Sequence, residues 1–388
     1  MSTDPTGMIW TMFSLKTIAI LVTITFGCTS AIRHPPARNG DWVTLSSTTY
    51  APPSRGRRFK IYAPGPEDCW IPLSNLPPLT KSPDDGGTLR IGGDTVANIA
   101  GNRVRYPHSI VLAYHGRGAH VDRMARVSRF HEFARPPNKR CSIVIYPEGL
   151  PSYDGRHAWQ PAPYANPNAD DIQFTKDILK WVDIKYAEHA SKRDVYASGK
   201  SNGAAMVAWI ACRMPDVIAA FAPVSGPLYL AADLTHPDPN CNPTRPVPII
   251  EFHGTDDHFA PYCHYRSQWL HGGSISTVMS WVQWWANKNE CEPEPTRSAP
   301  KAAVQEIGLL KTEIEVYHNC TGGVEVIHYR VVHGLHDWPS FVRMDDNEDD
   351  ESNPSMWVPT VPGWGDWSPG TVEATEIIME FFRRFQLP

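Results

Sequence analysis

Asp194-Val195-Tyr196-Ala197-Ser198-Gly199-Lys200-Ser201-Asn202-Gly203 is the stretch on which the reading of this chain turns. Asp194 to Ala197 predicts a short strand, and the apolar stretch from Gly203 to Met214 predicts a helix. Ser201 falls between them with a glycine two residues away on either side. Small neighbours allow the tight backbone approach needed at a sharp strand-to-helix turn, where a serine is presented with its hydroxyl exposed. The helix that follows would aim its positive end at charge developing beside that serine.

Outward from this turn, nearly continuous apolar runs alternate with helical patterns. Arg58 to Tyr62, Ile110 to Tyr114, Ile143 to Tyr146, Ala219 to Val224, Ile249 to Phe252 and Val326 to Val332 predict strands. Asp171 to Glu188, Thr277 to Asn287 and Val372 to Phe385 predict helices. Apolar strands separated by helices imply a mostly parallel central sheet covered on both faces. Three segments depart from the pattern. Glu67 to Gly101 is expected to be an irregular surface excursion, and Gly226 to Pro248 a proline-rich loop or small cap near the site. The acidic run from Asp345 to Glu351 reads as a solvated loop, because it lacks the spacing and glycine of a calcium-binding EF-hand loop.

Two further signals sit at predicted strand ends. Ile249 to Phe252 leads into His253-Gly254-Thr255-Asp256-Asp257, which offers two candidate acids. The strand ending at Val332 leads into His333-Gly334-Leu335-His336-Asp337-Trp338, and His336 is the candidate base. An imidazole titrates near neutrality, so it can take a serine proton and return it to a leaving alcohol, while a carboxylate orients it. The chain order Ser, Asp, His is that of the α/β-hydrolase fold. An oxyanion hole is expected from the backbone N–H of Asn202 and of Arg117, with Gly118 as the alternative to Arg117 in Tyr114-His115-Gly116-Arg117-Gly118. No metal or organic cofactor is implied.

The chain has 388 residues and a formal net charge of -5, which argues against a nucleic-acid partner and gives no attraction to an anionic membrane. Lys16 followed by Thr17 to Gly27 and the small residues Cys28 to Ala31 forms the pattern of a secretory signal peptide. The expected organisation is therefore a leader over 1–31, with Met8 an alternative start, and one catalytic domain over 32–388. The product would be extracellular, without stable membrane association after cleavage. Scattered single cysteines fit disulfides better than a zinc site. Cys212 with Cys241 and Cys291 with Cys320 are the expected pairs, and an odd cysteine is left over among the seven beyond Cys28. Asn319-Cys320-Thr321 is a glycosylation sequon.

Several stretches together resemble secreted fungal feruloyl esterases. They are Ala197 to Gly203, Phe221-Ala222-Pro223-Val224-Ser225-Gly226, Glu251 to Asp257, Tyr114 to Gly118, Asp170 to Thr175, and Gly334 to Ser340. Polyhydroxybutyrate depolymerases and acetylxylan esterases are more distant relatives with the same skeleton. The resemblance runs from about Arg57 to the C-terminus and implies that Asp257, the last residue of His-Gly-Thr-x-Asp, is the acid and His336 the base. It implies hydrolysis of feruloyl or related hydroxycinnamoyl esters on plant cell-wall polysaccharide such as arabinoxylan, or of small phenolic esters. It also places Trp159 near the site, either to stack on a sugar or phenolic ring or as a core tryptophan. Cys263, the acidic insertion after Ser340 and the long lead before Glu67 depart from the family. Acetylxylan or polyester hydrolysis, and a catalytically silent carbohydrate-binding protein on the same scaffold, are the competing readings.

Overall fold

The computed structural model describes residues 40–388 apart from 66–68, 73–78, 82–88, 92–93, 96–97, 136–140, 188, 227–228, 230–240, 264–274, 301–310 and 342–371. The expected leader and the acidic run lie outside the described residues. At the centre is a ten-stranded sheet. In chain order its strands are β1 (Asp41–Thr44), β2 (Arg58–Tyr62), β3 (His108–Tyr114), β4 (Ser142–Pro147) and β5 (Ala190–Lys200), followed by β6 (Ala220–Val224), β7 (Ile249–Gly254), β8 (Thr296–Ser298), β9 (Lys311–Tyr317) and β10 (Val326–Val332). Their spatial order is β1-β2-β4-β3-β5-β6-β7-β10-β9-β8. From β4 to β10 every neighbouring pair is parallel, while β1, β2, β9 and β8 join antiparallel at the two edges. This is the α/β-hydrolase fold expected from the sequence.

Strand alternation divides the core in two. Ile110, Leu112 and Tyr114 of β3, with Ile143 and Ile145 of β4, pack beside α2 (Asp171–Lys185), α3 (Asn202–Arg213) and α4 (Val278–Lys288) through Phe174, Ile178, Met206, Val207 and Trp285. The intervening Val111, Ala113, Val144 and Tyr146 pack with α1 (Val121–Ser128) and α5 (Ala374–Phe382) through Val121, Met124, Ile378 and Phe382. Each such side chain contributes about 1.5–3 kcal/mol on burial, so a one-residue slip of any central strand would exchange two buried faces. Side-chain caps set two helix starts: Asp170 accepts from Gln173 N at 2.8 Å and Thr277 from Ser280 N at 3.2 Å.

The sequence pattern overlooks α1, β1, β8 and β9. The side chain of His120 does not cap α1, and β9 mixes charged and apolar residues because it lies near the sheet edge. The excursion over 67–101 is a correction to the irregular reading. Ile71–Pro72, Asn98–Ala100 and Arg103–Arg105 form one small antiparallel sheet, and Leu79–Lys81, Leu89–Ile91 and Asp94–Thr95 another. Both expected disulfides form, Cys212 with Cys241 and Cys291 with Cys320, and a third joins Cys69 to Cys141 across 72 residues. Cys263 is the free cysteine among the described residues. No helix among those residues is long and apolar enough to cross a membrane.

Candidate active site

Lys200 ends β5, and the chain turns at Ser201 with φ 55° and ψ -121° before α3 begins at Asn202. An L-residue holds this left-handed backbone only where its surroundings fix it. Here Ser201 N–H donates to Val224 O at 3.0 Å, and Ser201 O accepts from the N–H of Ala204 and Ala205 at 2.9 and 3.1 Å. The flanking glycines serve close approach. A Cβ on Gly203 would lie 2.2 Å from Tyr114 O, and one on Gly199 would lie 2.5 Å from Gly203 O. Gly203→Ala is therefore expected to cost about 1–3 kcal/mol by overpacking, read from a denaturant melt. An unchanged midpoint would show that the turn has slack.

The other two residues arrive on loops beyond β7 and β10. Asp257 is buried, and its Oδ2 accepts from His336 Nδ1 at 2.7 Å while its Oδ1 accepts from the N–H of Phe259 and Ala260, both at 2.8 Å. Burial alone would raise the Asp257 carboxyl. The charge of His336 and hydrogen bonds from His253 and His336 prevail and hold it well below the usual carboxylate range. Asp256 goes elsewhere: its exposed carboxylate meets His333 Nδ1 at 3.1 Å. One backbone turn thus sends adjacent aspartates to different histidines. The acid loop and the histidine loop interlock, since a Cβ on Gly254 would lie 2.2 Å from Gly334 O. Ser225, next to the elbow at the end of β6, donates its hydroxyl to Asp337 O at 2.8 Å. Ser201, Asp257 and His336 therefore follow the C-terminal ends of the parallel strands β5, β7 and β10, with β6 between the first two.

The candidate oxyanion loop follows β3. Gly116 packs on the serine, with its Cβ position 3.3 Å from Ser201 Cβ. Gly118 N–H is already donated to His157 O at 2.8 Å, which favours Arg117 over Gly118 as the second donor. The first N–H groups of a helix have no intrahelical acceptor, and that of Asn202 is among them. The loop hangs on His115, a residue that the motif reading passed over. His115 is wholly buried; its Nδ1–H donates to Gly116 O at 2.7 Å and its Nε2 accepts from Gly149 N at 3.0 Å. Burial lowers its pKa to about 3, so it stays neutral and keeps that tautomer.

Of the two readings of Trp159, the core one fits the structure. It is 0% exposed, so its ring is not available to stack on a ligand. Its indole N–H donates to His115 O at 2.9 Å, and its backbone exchanges hydrogen bonds with the Asn202 side chain at 2.7 and 3.0 Å. Trp159 thus ties the candidate oxyanion loop to the start of α3. Below it, Asp171 accepts from Gln160 N at 2.9 Å and forms a buried ion pair with Arg57 at 2.7 Å. The aromatic ring that does lie beside the candidate base is Phe259, 45% exposed and 5.1 Å from the His336 ring. Metal ligands were not anticipated from the sequence, yet His120, Glu148 and His157 bring ligand atoms within 4.8 Å of one another. Arg58 is ion-paired with that glutamate, so a cation would compete with a guanidinium there.

No family model matches the chain. Over 187 residues, 48% of its length, the chain is 33% identical to feruloyl esterase B of Piromyces equi and covers 32% of that protein. Over 125 residues, 31% of its length, it is 33% identical to a bifunctional acetylxylan esterase/xylanase of Neocallimastix patriciarum and covers 15% of that protein. The chain therefore spans about a third or less of the length of these two relatives. Among solved structures, an acetyl xylan esterase from Aspergillus awamori aligns over 77% of this chain and 94% of its own, at a TM-score of 0.47 and 14% identity. In sequence the chain is thus similar, over part of its length, to a feruloyl esterase and to an acetylxylan esterase/xylanase.

Proposed function

We propose that this protein is a secreted serine esterase acting on feruloyl or related hydroxycinnamoyl esters of plant cell-wall polysaccharide. The observation that carries the reading is the 2.7 Å bond from His336 to buried Asp257, on loops at the same C-terminal end of the parallel strands as the strained turn at Ser201. Ser201 Oγ attacks the ester carbonyl while His336 takes its proton. The N–H groups of Asn202 and Arg117 bind the oxyanion, His336 returns the proton to the leaving sugar hydroxyl, and water then releases the acid from Ser201 by the same steps. The motif resemblance and the similarity to a feruloyl esterase support the hydroxycinnamoyl acyl group. The disulfides and the leader-like N-terminus support export.

Hydrolysis of methyl ferulate by wild type and by Ser201→Ala tests the reading. Release by wild type alone is expected. The similarity to an acetylxylan esterase gives the second reading, and a folded wild type that spares methyl ferulate but deacetylates xylan would establish it instead. Phe259 separates the two acyl groups further, because a half-exposed ring beside the base is suited to lie against a phenolic ring. Phe259→Ala is expected to lose about 0.5–1.5 kcal/mol of transition-state binding for methyl ferulate, read as kcat/KM, with little change for an acetyl ester. Equal losses on both substrates would remove Phe259 from acyl selection.

A further inference from the structure

Behind Asp257 lies a row of buried ionisable groups that the acyl-transfer scheme does not use. Glu251 and His253 stand two residues apart on β7, hence on one face, and His328 is the register partner of Glu251 on β10. Glu251 is 2% exposed, and both histidines are 0% exposed. His253 Nδ1 lies 2.9 Å from Glu251 Oε1, while its Nε2 lies 2.8 Å from Ala260 O and 3.1 Å from Asp257 Oδ2. The other oxygen of Glu251 meets His328 Nδ1 at 2.5 Å, and His328 Nε2 meets the Tyr262 hydroxyl at 2.7 Å.

The partners of His253 settle its protons. A neutral imidazole has one N–H and one lone pair. Both nitrogens of His253 face oxygens: a glutamate carboxylate at one end, a carbonyl and a carboxylate at the other. A neutral ring would set lone pair against lone pair at one end, in a place where an unmet polar contact is costly. Burial by itself would lower the pKa of His253, and Asp257 and Glu251 overcome it, pushing it up to about 10. Burial by itself would raise Glu251, and His328 and His253 bring it below its ordinary value.

We propose that His253 is a positioning residue of this esterase: a standing imidazolium, braced by Glu251, that locks the Asp257 carboxylate and offsets its charge before His336 takes the serine proton. This role rests on the serine-esterase reading above. Together Glu251, His253 and Asp257 hold one net negative charge, which is cancelled when His336 becomes protonated. Among the described residues, the other charged or titratable groups around the row are Tyr262, Cys263, Arg330 paired with Glu313, and Glu315 paired with Arg297. From α4, Met279 contributes a neutral sulfur 3.1 Å from the Tyr262 hydroxyl.

The protonation is testable in the wild type by side-chain ¹H–¹⁵N correlation spectra of ¹⁵N-histidine-labelled protein between pH 5 and 9. One ring is expected to keep both protons at pH 9, and its signal is expected to vanish in His253→Gln. If every ring becomes neutral below pH 8, the proposal is wrong, and this arm does not depend on the variant folding. The role is tested by pH profiles of kcat/KM on methyl ferulate. In His253→Gln, which leaves the row with two uncompensated negative charges, the acidic limb is expected to move to higher pH. For His253→Gln the shift should be about one unit, with kcat falling about tenfold and KM little changed. A uniform loss at every pH with the limb in place would mean a merely structural residue and overturn the role. A wild type with no esterase activity would sink the serine-esterase reading, and the role with it, while the ring protonation would still be measured separately.

Discussion

Ser201→Ala is expected to fold like the wild type and to lose about five to six orders of magnitude in kcat on methyl ferulate. The fold should survive because the substitution removes one oxygen and keeps every backbone bond at the turn: the N–H to Val224 O and the carbonyl that receives Ala204 and Ala205. The loss should be near-total because no covalent acyl intermediate can form, and His336 is left with no hydroxyl to activate. A residual rate above the uncatalysed one is compatible with this outcome, since the oxyanion donors and substrate binding remain. Retention of more than a few per cent of wild-type turnover, with a native circular dichroism spectrum, would mean that another group is the nucleophile.

The second large effect separates two neighbouring residues. Asp257→Asn is expected to lower kcat about ten-thousandfold, whereas Asp256→Asn should stay within a few-fold of wild type. The difference follows from where the carboxylates go. Asp257 is buried and receives His336, His253 and two backbone N–H groups. An asparagine there turns one oxygen into a donor among donors, so it breaks a bond and favours the wrong histidine tautomer. The Asp256 carboxylate meets His333 and Thr255 at the surface. Because the Asp257 carboxyl is held well below the usual range, it stays ionised as pH falls through 4, and its orienting effect should persist there. Steady-state kinetics on the two variants decide the matter, and equal losses would undo the assignment of the acid.

The elbow was legible because everything that makes it is local: a strand, two glycines, a serine and a helix within about twenty residues. The parallel sheet was legible because strands buried on both faces are apolar at every position. Asp257 could not be told from Asp256 by residues alone, since both suit a turn and the choice depends on a loop 79 residues away. The pairing of Glu251 with His328 is of the same kind, set by sheet register. Its one sequence trace is a glutamate inside the apolar run Ile249 to Phe252 with a histidine two positions on. Whether Trp159 would face a ligand or the core was not legible, because the choice depends on where its backbone and indole N–H find partners, Asn202 and His115, far along the chain.

The bond between His336 and Asp257 also bears on how the chain reaches its native state. It joins loops from strands that become neighbours only after the whole excursion through α4, β8 and β9 has been traversed and β10 has docked along β7. Long-range parallel pairing of this kind is slow to form. The Cys291–Cys320 bond, which ties the residues after α4 to the end of β9, shortens the effective span of chain to be closed. During refolding, burial of tryptophan should therefore precede the ability of Ser201 to react with a fluorophosphonate probe, and the interval should lengthen when the disulfides are reduced. Nucleophile labelling would then act as a clock for the last docking event, reporting only molecules in which the far end of the chain has come home.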